Sequence, residues 1–248
     1  MFGGRDMEIH KPKAVHGWRE LLKEIGIIVI GVVIALGAEQ AVESLHWMHQ
    51  VDAGEAILKG AFAREVQNAA LRDAQGDCIT QRLAFLSSVV QRASEDGRLP
   101  ALDAVGHPPF TPWTIGSWQA LVANQTVSHL PRQKTIDYSV IAQTTTFLSG
   151  LSDQEEAHWT ILDTMIGPGR RLSDAEAEQL RITLAQASDA NILMGRTADS
   201  LRNAVRATGL VEPSVFDEAV KKSLREKAKA AICRPMTPPH DTKVNARG

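Results

Sequence analysis

Glu43, His46, His49 and Asp52 are the closest this 248-residue chain comes to a chemical constellation. Histidines three apart share one side of a helix, and two imidazoles with a carboxylate suit a divalent metal such as zinc or copper. The competing reading is a pair of interfacial histidines beside Trp47 on a wet helix face, and it is the one adopted, so no metal and no cofactor are expected. His107, His129 and His158 stand singly and read as surface or core residues. Trp113, Trp118 and Trp159 read as core fillers rather than ligand platforms. The chain has no phosphate-binding glycine loop, no Gly-x-Ser-x-Gly elbow and no His-Glu-x-x-His. No catalytic residue is assigned, and the chain is not read as an enzyme.

Two cysteines, Cys78 and Cys233, are too few for a disulfide scaffold or a four-ligand zinc site. In an oxidising compartment they become a candidate bridge. It would close a loop of about 155 residues, an entropic gain of at most roughly 5 kcal/mol. The alternative is two unrelated small buried residues. The compartment decides between them.

Address is read from Ile25 to Ala38, an uncharged apolar run. Leu21 and Leu22 lengthen it on one side and Ala41 and Val42 on the other, while Lys23 can snorkel to the interface. Trp18 and Trp47 bracket it. At about 1.5 Å per residue the helix between them measures roughly 44 Å, close to the ~40–45 Å of a bilayer with its headgroups, where tryptophan concentrates. Arg5, Lys11, Lys13, Arg19 and Lys23 precede the run, and only Lys59 appears between Val42 and Ala61. The positive-inside rule then leaves the N-terminus in the cytoplasm and exports the rest. Two rivals stay open: a cleaved signal peptide ending at Ala35-Leu36-Gly37-Ala38, and a buried core helix of a soluble protein. Gly31 with Ala35, and Gly37 with Ala41, are small-residue pairs one turn apart that suit close packing of membrane helices.

The run from Glu24 to Leu36 resembles the anchor of an uncharacterised family of bacterial single-span membrane proteins, which carry a Glu-Ile-x-Leu-Val-Val-Ile-Gly-Ile-x-Ile-Ala-Leu-type segment. Trp118-Gln119-Ala120-Leu121, with Val127 and Leu130, resembles a second segment of that family. There this chain departs, with Asn124 and Gln125 in place of a Ser-Gly pair. The resemblance covers about a fifth of the chain. It implies a membrane anchor and an exported helical domain, and no activity.

Beyond the anchor, helical periodicity dominates. Val42, Leu45, Met48, Val51, Leu58, Phe62, Val66 and Ala69 form one stripe with a gap near Gly54. Ile79, Leu83, Leu86 and Val90 form the stripe of a second helix, and Cys78 marks the boundary. Residues 96–113 are rich in glycine and proline and predict a long loop. Trp118, Leu121 and Val122 mark a short helix. Ile136, Val140, Ile141, Phe147 and Leu148 mark another, after Pro131. Ser152-Asp153-Gln154-Glu155 and Ser173-Asp174-Ala175-Glu176 read as capping boxes opening two more helices, Gly209 as a stop signal, and Ser214 as the cap of a last helix. The expected fold is all-α: a transmembrane helix continuing into an exported helical bundle. The expected segments are 1–20 cytoplasmic, 21–42 transmembrane, 43–233 periplasmic bundle and 234–248 disordered tail.

The net charge of −2 gives no global field for nucleic acid, and no nucleic-acid partner is expected. The balance is uneven. From Lys221 onward there are eight Lys/Arg and two acids, Glu226 and Asp241, which read as a solvated helix face and a loose tail. The expected partners are the lipid bilayer and either a second copy or another envelope protein. Two functions remain: a non-enzymatic envelope component acting by protein contact at the bacterial inner membrane, or a sensor-like or ligand-binding periplasmic bundle. The second would need a partner to carry any signal, since the cytoplasmic segment is too short to hold a signalling domain.

Overall fold

No proline interrupts the chain between Trp18 and Asp96, and these residues form one helix, α1. The computed structural model describes residues 17–236, so most of the expected cytoplasmic segment and of the expected tail lie outside the described residues. The remaining elements are β1 (Arg98–Leu99), α2 (Gly116–Ala123), α3 (Arg132–Leu162), β2 (Arg170–Arg171), α4 (Asp174–Thr208) and α5 (Pro213–Lys229), with 3-10 turns at Thr126–His129, Asp163–Met165 and Ala231–Cys233. The fold is all-α apart from the two-residue antiparallel pair β1·β2, in which Arg98 faces Arg171.

The chain divides into two units, Met1–Gln50 and Val51–Gly248. In the first, the N-terminal part of α1 is long and apolar enough to cross a membrane, and none of its most apolar stretch is buried. Ile27 is 72% exposed. Among the described residues nothing beyond the helix's own backbone and chain neighbours comes within 4 Å of where a Cβ on Gly31 or Gly37 would stand, and Ala35 and Ala41 are exposed as well.

The second unit buries two apolar clusters. One gathers Leu58, Phe62 and Val66 of α1, Tyr138, Ile141 and Leu148 of α3, Leu201 and Val205 of α4 and Phe216 of α5. The other gathers Ile79, Leu86 and Val90 of α1, Trp159 and Leu162 of α3, Leu180 and Leu184 of α4, and Ile232. Sequence number rises from the first cluster to the second along α1, α3 and the α5 segment, and falls along α4. Three segments therefore run one way and α4 returns, which a helix following α3 through a short connection must do.

Several local expectations are corrected. The stripes on either side of Cys78 belong to one helix. Gly54 does not interrupt it: a Cβ there would stand 2.8 Å from Leu121 Cδ2, so glycine admits α2 at close range. Ser152-Asp153-Gln154-Glu155 opens no helix; α3 runs through it, and the Ser152 hydroxyl donates to the Thr111 carbonyl at 3.2 Å. Ser173 is a true N-cap, accepting from the Glu176 N–H. The reciprocal half of the box is replaced by a pair between Glu176 and Arg170. Gly209 ends α4 in the left-handed region at φ 66°. The last helix starts at Pro213, whose missing N–H is harmless in a first turn, with Glu212 rather than Ser214 at the N-cap.

Candidate functional site

Glu43, His46 and His49 lie along exposed helix, and so does Asp52. The Trp47 indole N–H donates to Glu43 Oε1 at 3.4 Å, and the His46 ring meets Trp47 edge-on at 5.5 Å. Among the described residues no three His, Cys, Asp or Glu side chains converge as a metal site would require. His107 sits edge-on to Trp159 at 5.7 Å, its Nε2 3.3 Å from Glu156 Oε2. Trp113 and Trp159 are buried, and Trp118 packs at the edge of the first cluster.

The buried polar groups are elsewhere, and they fall on the apolar stripe itself. Arg72 donates from both terminal nitrogens to Glu155, at 2.9 and 2.8 Å, and from Nη2 to Asn191 Oδ1 at 2.7 Å. Asn191 passes the link back to α1, donating to the Gly76 carbonyl and to Thr80 Oγ1. All three polar residues are buried, with Gln75 beside them in sequence. They form a belt between the two apolar clusters that ties α1, α3 and α4 in one register. Sequence reasoning missed it. The signal was present in Arg72, Gln75 and Glu155, polar residues at positions where helical spacing calls for apolar ones.

A second polar group secures the loop before α2. Glu65 Oε1 accepts from the Thr114 N–H at 3.4 Å, and Asn68 donates to both Glu65 and the Pro112 carbonyl. Burial pushes the Glu65 carboxyl above the ordinary carboxylate range, against the lowering effect of Thr114, Asn68 and Arg64.

No family model, no curated protein and no solved structure matches this chain. Its site must therefore be read from its own geometry.

The most distinctive geometry is at the C-terminal end. Cys78 and Cys233 are joined by a disulfide with their Cα atoms 4.9 Å apart. One turn beyond Cys78 on α1, Arg82 turns its guanidinium inward, where among the described residues it meets carbonyls and no carboxylate. Nη1 donates to the Val105 carbonyl at 2.9 Å. Nη2 donates to the carbonyls of Ala231, Ile232 and Arg234, at 3.4, 3.3 and 2.6 Å. These oxygens close the last 3-10 turn, where orphan carbonyls and the helix dipole favour a cation. Burial holds the Arg82 pKa below its usual value. A Cβ on Gly106 would stand 1.7 Å from Arg82 Nη1, so any side chain there would displace the guanidinium from the position it holds. Arg234 to Met236, expected in the loose tail, lie in this arrangement: the Arg234 carbonyl is held, and Met236 packs against the second cluster.

Among the exposed apolar positions of the second unit is a stripe on α3. Ile136, Val140 and Phe147 follow one another along α3 and are each about half exposed, at 45%, 47% and 51%. Gln143, Thr144 and Phe147 of α3 face Arg196, Thr197 and Ser200 of α4 across an open groove beside them.

Proposed function

We propose that the chain is a single-span component of the bacterial envelope that works by protein contact. Its N-terminus lies in the cytoplasm, the helix around Leu21 to Val42 crosses the inner membrane, and the bundle stands in the periplasm. The apolar, wholly unburied stretch of α1 supports the anchor. The Lys/Arg bias supports the orientation, and the Cys78–Cys233 bridge suits an oxidising compartment.

The observation that carries the contact role is the α3 stripe. Three large apolar side chains in helical register lie on the outside of a bundle whose own clusters are already filled. An envelope protein presenting an apolar helix face would cover them and seat beside the α3–α4 groove. The test places a photo-crosslinking amino acid at Val140 or at Asp189, an exposed α4 position outside the stripe, followed by mild detergent extraction. A discrete adduct from Val140 and none from Asp189 is expected. Equal labelling from both, or none from Val140, would overturn the reading.

A further inference from the structure

We propose that Cys78–Cys233 is a thiol–disulfide exchange site, opened by a protein dithiol that enters the cleft beside it, and that Arg82 keeps the opened pair together so that it closes again. The bond does not lie deep in the core. Both cysteines are only half-buried, and they wall a cavity of about 230 Å³ with Gln81, Phe85, Pro235 and Met236. That opening gives an incoming thiolate a path to a sulfur, which exchange requires. Arg82 and Arg234 line the same cavity, the first with its guanidinium on the carbonyls already described and the second donating from Nη2 to the Lys229 carbonyl at 3.4 Å. Guanidinium groups beside a cysteine favour its thiolate, and a sulfur that departs as a stabilised thiolate leaves faster.

The bond is also not the segment's sole attachment. Ile232 is 2% exposed within the second cluster, and Arg82 grips the carbonyls on either side of Cys233. None of those contacts uses a sulfur atom, so the opened form keeps the same holds on this segment. The reduced thiols therefore stay adjacent, and the reaction is reversible without unfolding. In the forward direction one thiolate of the dithiol attacks a cystine sulfur. The Cys78–Cys233 bond breaks, a mixed disulfide forms, and the other cysteine leaves as a thiolate. The second thiol of the reductant then attacks the mixed disulfide and releases the remaining cysteine. Two electrons pass to the cystine, its thiolates take up two protons, and the reductant ends as a disulfide.

The experiment uses the full chain in detergent, without denaturant, treated with dithiothreitol and quenched at intervals with a mass-tagging maleimide. Two tags are expected to appear together while helicity and the cooperative melt persist, and closure on transfer to oxidised glutathione should be fast. Arg234→Ala removes a cleft guanidinium while keeping the gripped carbonyl, so its reduction should be severalfold slower with unchanged closure. Arg82→Lys, which makes fewer carbonyl contacts, should close at least tenfold more slowly. Were Arg82→Lys to misfold, Arg234→Ala would still decide. Tagging that appears only as the protein melts, or an Arg234→Ala reduction rate equal to wild type, would overturn the proposal.

Discussion

Gln125 carries a backbone conformation that its side chain disfavours. At φ 65° it is the one non-glycine left-handed residue among those described. The left-handed region costs an L-residue roughly 1–2 kcal/mol, partly offset by the greater unfolded-state entropy of glycine. Gln125→Gly should therefore stabilise the bundle by about 0.5–1 kcal/mol, read as a shift in the urea midpoint at constant slope. The neighbouring Asn124 is not left-handed; its Oδ1 instead accepts from the Thr126 N–H. Glu65 makes a second single-residue prediction. Its folded pKa is raised, so the native state binds this proton more tightly than the unfolded chain does. The stabilising contribution is complete below the ordinary carboxylate pKa and is lost as pH rises through the raised folded value. Stability of Glu65→Gln, which cannot titrate, should fall less than wild type between about pH 4 and 8. Parallel pH curves for the two proteins would remove Glu65 as the cause. Neither residue was legible in the sequence: Gln125 because nothing local demands φ > 0 of a glutamine, Glu65 because its burial depends on packing and its Thr114 partner comes from a loop 49 residues away.

At the level of elements, what could be read was set by local chemistry. The Ser173 cap, the Gly209 stop and the Pro131 start depend on residues within a turn of each boundary, and these boundaries were found. Gly54 and Ser152 misled for the opposite reason. Each carries a local signal, a gap and a cap, that tertiary contacts with Leu121 and Thr111 put to another use. The β1·β2 pair, two residues a side, is too short to show a period. The Arg72–Glu155–Asn191 belt can be tested as a unit. Removing one partner from a buried pair leaves an uncompensated charge and costs about 3–5 kcal/mol. Arg72→Met should lose stability of that order in denaturant titrations. Arg72→Met with Glu155→Leu, which removes both charges, should recover more than half of it. A double variant as unstable as the single one would mean that the belt is irreplaceable packing rather than a charge pair.

For the whole molecule, the all-α class was legible throughout because helical periodicity persists in almost every segment. The address is the part most readily tested. A reporter enzyme that works only outside the cytoplasm, fused after Gly209, should be active, and activity only from a cytoplasm-dependent reporter would reverse the orientation. The disulfide has a mechanical consequence as well. It joins α1 at Cys78 to the chain at Cys233 across a separation of 155 residues. If the protein is held at Trp18 and pulled at Met236, tension runs along α1, crosses from sulfur to sulfur and leaves through Arg234 to Met236. The chain between the cysteines, including all of α3 and α4, forms a slack ring outside the line of force. An oxidised molecule in an optical trap should therefore withhold that ring at any pull short of bond rupture. A reduced one should release about 500 Å of additional contour, at roughly 3.3–3.6 Å per residue.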